Sequence, residues 1–376
     1  MTAMRRIYVD GNATTPLDPR VREAMEPWLD CGNASSLHAE GRAARAALDR
    51  AREQVAALVG ARPKEIVFTS GATESNSLAL VGAVRANAVR RVACSAVEHP
   101  SVLRALEALR PEIDLAVLAV GRDGRVAPDA TLPPGTGLLA LMVANNETGA
   151  IMPVAAVAAR ARATGALVFC DAAQACGKME VRVDALQADL LSLSAHKMHG
   201  PKGAGALYVR GGVRLAALTR GGEHERGLRP GTENVAALVG LGAAADLAAR
   251  ELEARRGRWA ALRASFLAGI RAKLPGARVN SPADGLANTI SLTIPGIPGD
   301  ALLAGLDLAG ISASVGSACA SGAAEPSHVL LAMGLTRAEA SQSLRVSFHA
   351  GTGEDDVAAC LNEVARCVKG LGAVRR

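Results

Sequence analysis

Lys197 stands in SLSAHKMHGPKG, directly after one histidine and two residues before another, at the point where the chain turns glycine-rich. Lysine is scarce here: apart from Lys64, Lys178, Lys197, Lys202, Lys273 and Lys369, the 42 basic residues are arginines. A guanidinium does not give up its proton, whereas an amine does, so a lysine set where arginine is the default cation implies proton or covalent chemistry. Asp171, 26 residues earlier, closes the apolar run VFCD. A carboxylate there is costly unless paired, and the carboxyl ends of parallel strands are where ligands bind. Upstream, FTSGATESN places Gly71 in a tight turn and opens a helix with small and hydroxyl residues, leaving backbone N–H groups free to cradle a phosphate. Cradle, acid and lysine together form the set that pyridoxal phosphate requires. The acid pairs with the ring nitrogen so that the ring accepts electrons, and the lysine attaches the cofactor and moves the Cα proton of the substrate.

Two further residues suit such a site. Cys319 lies in SVGSACASGAAEPSH, among Gly, Ser and Ala too small to build a core, and this reads as a mobile loop carrying a thiol. Neighbours in a site would have to activate it, because a free thiol is only slightly ionised at neutral pH. Arg345 interrupts the strand-like run SLRVSF and suits a paired grip on a substrate carboxylate. Other chemistries fit poorly. GTGLLA runs into a strand and does not open a helix, so it is not a dinucleotide fingerprint; GxxxxGK[ST] is absent. His196 and His199 lack the carboxylate partner of a metal motif, and no metal is expected.

Positioning these residues falls to a β/α alternation. EIVFTS, RVACSAV, DLAVLAV, GLLALMVANNE, ALVFCDAAQ, ADLLSLSAHK and GALYVR read as strands; the first, second and fourth precede the helical runs ATESNSLALVGAVRANA, HPSVLRALEALR and PVAAVAARARATG. Continuous apolar strands of this kind predict an α/β fold with a mostly parallel sheet covered on both faces. An amphipathic helix ending at Gly60 precedes the alternation; a long arginine-rich helix from Thr232 to Leu274 follows it. From about Asn280 shorter strands, TISLTI and SLRVSF, mix with helices and predict a smaller α+β unit.

The 376 residues suffice for one large and one smaller domain. With 49% hydrophobic and only 2% aromatic residues, the core must be built from Ala, Val and Leu. The net charge of +6 is spread along helices without a run of like charge, which reads as solvated surface and not as a nucleic-acid face. No apolar stretch is long enough for a membrane span, and the N-terminus lacks a signal-type apolar region, so a cytoplasmic location without a membrane partner is expected. Cys31, Cys94, Cys170, Cys176, Cys360 and Cys367 show neither CxxC nor disulfide-framework spacing and read as structural.

With these residues in place the chain resembles the cysteine desulfurases, in the class V aminotransferase group of fold-type I pyridoxal-phosphate enzymes. The resemblance runs through YVDGNATTPLDPRV, EIVFTSGATESNSLA, VEHPSV, ANNETG, DAAQACGK, AHKMHGPKGAGALYVR, RGGEHERGLRPGTEN, SVGSACASGAAEPSHVL and SLRVSF. ANNETG, GTEN, EPSHVL and the short ending look most like the nitrogenase-associated (NifS) type. The resemblance implies a fold-type I transferase with a mostly parallel seven-stranded sheet, a large cofactor-binding domain over 15–255, and a smaller domain from 1–14 and 256–376. It implies Lys197 as the Schiff-base lysine, Cys319 as the thiol that becomes a persulfide, and His99 stacked on the cofactor ring and aiding proton transfer. Asp171 would meet the ring nitrogen and Gln174 the phenolic oxygen. Ala72, Thr73, Ser194 and His196 would hold the phosphate, with Thr232 supplied by the other subunit of a homodimer. Asn146 would lie near cofactor and substrate, and Arg345 would take the carboxylate of L-cysteine. The implied activity removes sulfur from L-cysteine, leaving L-alanine and a persulfide that passes sulfur to an iron–sulfur scaffold protein. Ala34, Val315, Ala195 and the segment FHAGTGEDD depart from the family pattern without removing a catalytic group. A selenocysteine lyase or a class V aminotransferase shares the cofactor machinery, but transamination needs no thiol.

Overall fold

The computed structural model describes residues 6–316 and 325–374. In chain order the strands are β1 (Ile7–Tyr8), β2 (Ile66–Thr69), β3 (Arg91–Ser95), β4 (Asp114–Leu118), β5 (Leu138–Ala140), β6 (Leu167–Asp171), β7 (Leu190–Ser194), β8 (Gly205–Val209), β9 (Arg278–Val279), β10 (Thr289–Thr293), β11 (Ile311–Ser312) and β12 (Ser343–Ser347). The helices are α1 (Pro19–Met25), α2 (Ala39–Val59), α3 (Ala72–Ala86), α4 (Pro100–Ala108), α5 (Val154–Ala163), α6 (Val235–Lys273), α7 (Gly299–Leu308), α8 (His328–Ala332), α9 (Arg337–Ala340) and α10 (Glu354–Val374).

A seven-stranded sheet of order β2-β8-β7-β6-β5-β3-β4 forms the large layer, and only β8 runs against its neighbours. Its inner strands are mostly apolar because both of their faces are covered, and the two-residue side-chain period shares them between two cores. Ile66, Phe68, Val168, Cys170, Leu191 and Leu193 point to one core, while Val67, Phe169, Leu190 and Leu207 point to the other. The fold is the expected α/β class with a mostly parallel sheet.

Small residues let helices approach closely, as the Ala- and Gly-rich composition requires. Helix α2 buries Ala44, Ala47, Leu48, Ala51, Val55 and Val59 at helical spacing and ends at Gly60, whose φ of 71° is left-handed. It lies against α6 so tightly that a Cβ on Gly242 would sit 2.6 Å from Ala51 Cα.

Helix α6 has 39 residues and, at 1.5 Å per residue, spans ~58 Å. Its first half packs Leu238, Leu241, Ala244 and Ala248 into the core beneath the large sheet. Its second half packs Trp259, Leu262, Phe266 and Ile270 into a separate core with Ile290, Leu292, Leu344, Val346 and Phe348. That second core backs the antiparallel sheet β12-β10-β9 and includes Val9, which follows β1; β1 pairs in parallel with β11. Among the described residues no helix is long and apolar enough to cross a membrane.

Candidate active site

The carboxyl ends of β6 and β7, the turn before α3 and the start of α4 converge on a cavity of about 540 Å³. Its lining includes Lys197, Asp171, His99, Gln174, Asn146 and Arg345. Ala72, Thr73, Ser194 and His196 line it as well. Thr232 is exposed and lies outside this lining, and Cys319 lies outside the described residues.

Lys197 follows β7 in a short 3-10 turn and gives hydrogen bonds from Nζ to the backbone oxygens of Asn12 (2.7 Å) and Ala13 (2.8 Å). Asp171 ends β6, nearly buried. Its Oδ1 accepts from Ala173 N (2.9 Å) and its Oδ2 from Asn76 Nδ2 (2.8 Å). A buried carboxylate lining a cavity with lone pairs to spare suits a cationic N–H partner. Another part of the cavity suits an anion. Helix α3 has Gly71 as its N-cap and no side-chain cap, so the first N–H groups of a fifteen-residue helix are left for a ligand where Ala72 and Thr73 line the cavity with Ser194 and Lys202. Gly71 holds a φ of 154°, a region that side-chain-bearing residues rarely adopt. His196 nearby is held down to about 4 by burial and by Lys197, so it is neutral at physiological pH. A buried acid, an uncapped helix start and an amine in one cavity lining fit pyridoxal phosphate.

Several roles expected from the sequence meet partners that the sequence did not announce. Gln174 donates from Nε2 to Asn12 O (2.9 Å), and its Oε1 accepts from Lys178 Nζ. Lys178 is buried, and burial pushes it well below lysine's ordinary value, helped by Lys197 and Arg345; it also donates to Asn12 Oδ1 (2.9 Å). Arg345 binds Asp10 Oδ1 through Nη2 (2.7 Å) and Asn146 O through Nη1 (3.2 Å), while its Nε is buried without a partner. Asn12 reaches the antiparallel sheet as well, donating from Nδ2 to Thr289 Oγ1 (2.9 Å) and accepting from Asn288 at Oδ1 (3.1 Å). Asp10 and Asn12 sit in YVDGNATTP, a stretch used for its pattern and not for any role in a site.

Glu147, of ANNETG, also lines the cavity and is buried. Burial raises its carboxyl above the ordinary range, against a hydrogen bond from Ser327 and the charges of His328 and Arg345. On the other side of residues 317–324, a Cβ on Gly316 would lie 3.2 Å from Glu147 Oε2. Both described flanks of that segment therefore meet one wall of the cavity. Five of the six described cysteines are buried, the exception being Cys31; burial pushes Cys94, Cys176 and Cys360 up to about 12.

Residues 7–360 match the family model described as aminotransferase class-V. A cysteine desulfurase of Gluconacetobacter diazotrophicus is 44% identical over 364 residues, 94% of this chain and 91% of the relative. The cysteine desulfurase IscS of Anaeromyxobacter dehalogenans is 44% identical over 93% of this chain and 89% of its own. Among solved structures, a NifS-like protein superposes with a TM-score of 0.91 at 34% identity, over 97% of this chain and all of the other.

Proposed function

The chain belongs to the aminotransferase class-V family as a pyridoxal-phosphate-dependent cysteine desulfurase, and from that premise we propose how its own residues divide the work. The observation that carries the proposal is the convergence of Lys197, Asp171, His99 and Arg345 on one cavity, with both flanks of residues 317–324 against Glu147 of its wall.

Asp171 would hold the ring nitrogen of the cofactor, the α3 start with Thr73, Ser194 and His196 would hold its phosphate, and Lys197 would tether it. When bound, the cofactor supplies an electron-withdrawing ring that stabilises charge developing at the substrate Cα. Arg345 orients the carboxylate of L-cysteine, to which Asn146 lies close. Lys197 Nζ would take the Cα proton and return a proton to Cα before L-alanine leaves. Cys319, as thiolate, attacks the substrate sulfur: the S–S bond forms, the C–S bond breaks, and its electron pair stays on the carbon that is protonated to give L-alanine.

The persulfide sulfur goes on to an iron–sulfur scaffold protein. ANNETG, GTEN and EPSHVL favour the nitrogenase-associated branch of that role. The working unit is a cytoplasmic homodimer in which the partner supplies Thr232 to the phosphate. The large domain comprises 15–255, and 1–14 with 256–376 make the smaller one.

Mass spectrometry after incubation with L-cysteine tests the central assignment. One added sulfur atom is expected on the peptide containing Cys319, with loss of alanine release in Cys319→Ala. Undiminished turnover in that variant, or sulfur on another cysteine, overturns it.

A further inference from the structure

His99 caps the start of α4, and two donors from one residue converge on its Nδ1: Ser101 N at 3.1 Å and Ser101 Oγ at 2.8 Å. A backbone N–H only donates, so Nδ1 carries a lone pair and the proton of the neutral imidazole sits on Nε2. Ser101 Oγ itself accepts from Asn76 Nδ2 at 2.8 Å, and the same amide nitrogen gives its other hydrogen to Asp171 Oδ2 at 2.8 Å. Turning the Asn76 amide over would press its oxygen against the Asp171 carboxylate, so charge fixes its orientation; in the orientation present, Oδ1 is buried and bonds nothing. With Asn76 occupying a lone pair of Ser101 Oγ, the hydroxyl hydrogen is directed to Nδ1.

We infer that Ser101 is a positioning residue that, backed by Asn76 and Asp171, fixes His99 as the tautomer with its proton on Nε2. His99 then offers the cavity a hydrogen-bond donor and no proton acceptor, and proton removal falls to Lys197. The charged and titratable groups acting on the ring are Asp171 from β6, Lys197 after β7 and His328 at the start of α8, while Glu98, beside it in the chain, is bonded to Ser95 and Met142. Burial lowers His99 below histidine's ordinary value, with Lys197 and His328 acting the same way and Asp171 against them. The inference rests on His99 belonging to the reaction pocket, yet its test does not require the reaction.

The test is nitrogen NMR of the cofactor-free protein labelled with ¹⁵N-histidine, with His99→Gln identifying the His99 signals. The expected spectrum has Nδ1 unprotonated and Nε2 protonated at neutral pH. Ser101→Ala removes a donor that favours the neutral ring and should raise the His99 titration midpoint by about half to one pH unit. Ser101→Thr restores the hydroxyl and should return the midpoint to that of the native chain. A proton on Nδ1 in the native protein overturns the inference even if a variant fails to fold. So does a Ser101→Ala midpoint that stays put or falls. Loss of desulfurase activity with the tautomer intact would count against the catalytic reading alone.

Discussion

Behind His99, Glu98 is fully buried. Its Oε1 accepts from Ser95 Oγ (2.6 Å) and Met142 N (2.8 Å), while Oε2 has no partner. Burial lifts this carboxyl to about 8, with Asp171 adding to it and the Ser95 and Met142 bonds opposing. An unfolded glutamate ionises near 4.5, so between there and about 8 the folded chain holds more protons than the unfolded one. Stability contributed by the protonated carboxyl is thus complete at the acid end of that window and is lost as pH rises through it. Glu98→Gln keeps the neutral form at every pH. Its stability relative to the native chain should climb by on the order of a few kcal/mol between about pH 5 and 8, read from urea midpoints of the cofactor-free protein. A gap that does not widen with pH would mean that the folded protein ionises Glu98 normally. Lys197 and Asp171 were legible from sequence because their chemistry is out of place where they stand, whereas His99, a helix cap by its local pattern, was reached only through the family resemblance. Glu98, Asn76, Ser101, Asp10 and Asn12 were not, since a small polar residue declares its role only through partners, which for Asn12 lie 134 to 335 positions away.

At the scale of elements, the part of the cavity at the start of α3 depends on β8 and the turn before α3 meeting without side chains. A Cβ on Gly205 would lie 2.5 Å from Gly71 Cα and 2.8 Å from Leu193 O, backbone atoms that cannot swing aside. Gly205→Ala should cost about 1–3 kcal/mol of stability. By displacing Gly71 it should also weaken binding of pyridoxal phosphate, measured by titrating the cofactor-free protein with it; unchanged affinity would separate this turn from the cofactor. The buried strands were readable because cover on both faces favours apolar residues at most positions. GLLALMVANNE was read too long: regular strand ends at Ala140, although Leu141 and Val143 still bond backbone to backbone with Phe169 and Asp171. Nothing local announced the left-handed Glu225 and Arg226, with φ of 48° and 59°. That turn is held from afar, by Arg52 gripping both Glu225 oxygens (2.6 and 2.7 Å) while stacked 4.4 Å over Phe68.

For the molecule as a whole, α6 is the member shared by the two cores. Between Ala248 and Trp259, where it passes from one core to the other, Gly257 is exposed, and a Cβ there would meet nothing within 4 Å. Gly257→Ala should therefore stabilise the protein by about 1 kcal/mol, seen as a higher melting temperature with turnover unchanged. Lower turnover in a better-folded variant would show that the helix must bend there during catalysis. The long helices at this scale, α2 and α6, were visible in the sequence as extended runs of helix-forming residues. The seam between the cores was not, because the residues that stitch it, Asn12 with Thr289, Asn288 and Ser347, carry no periodic signal.

An unbroken rod through both halves has a mechanical consequence. Swinging them apart would break consecutive backbone hydrogen bonds in the middle of α6. The wall bearing Lys197 and the wall bearing Arg345 are therefore expected to keep their spacing during turnover.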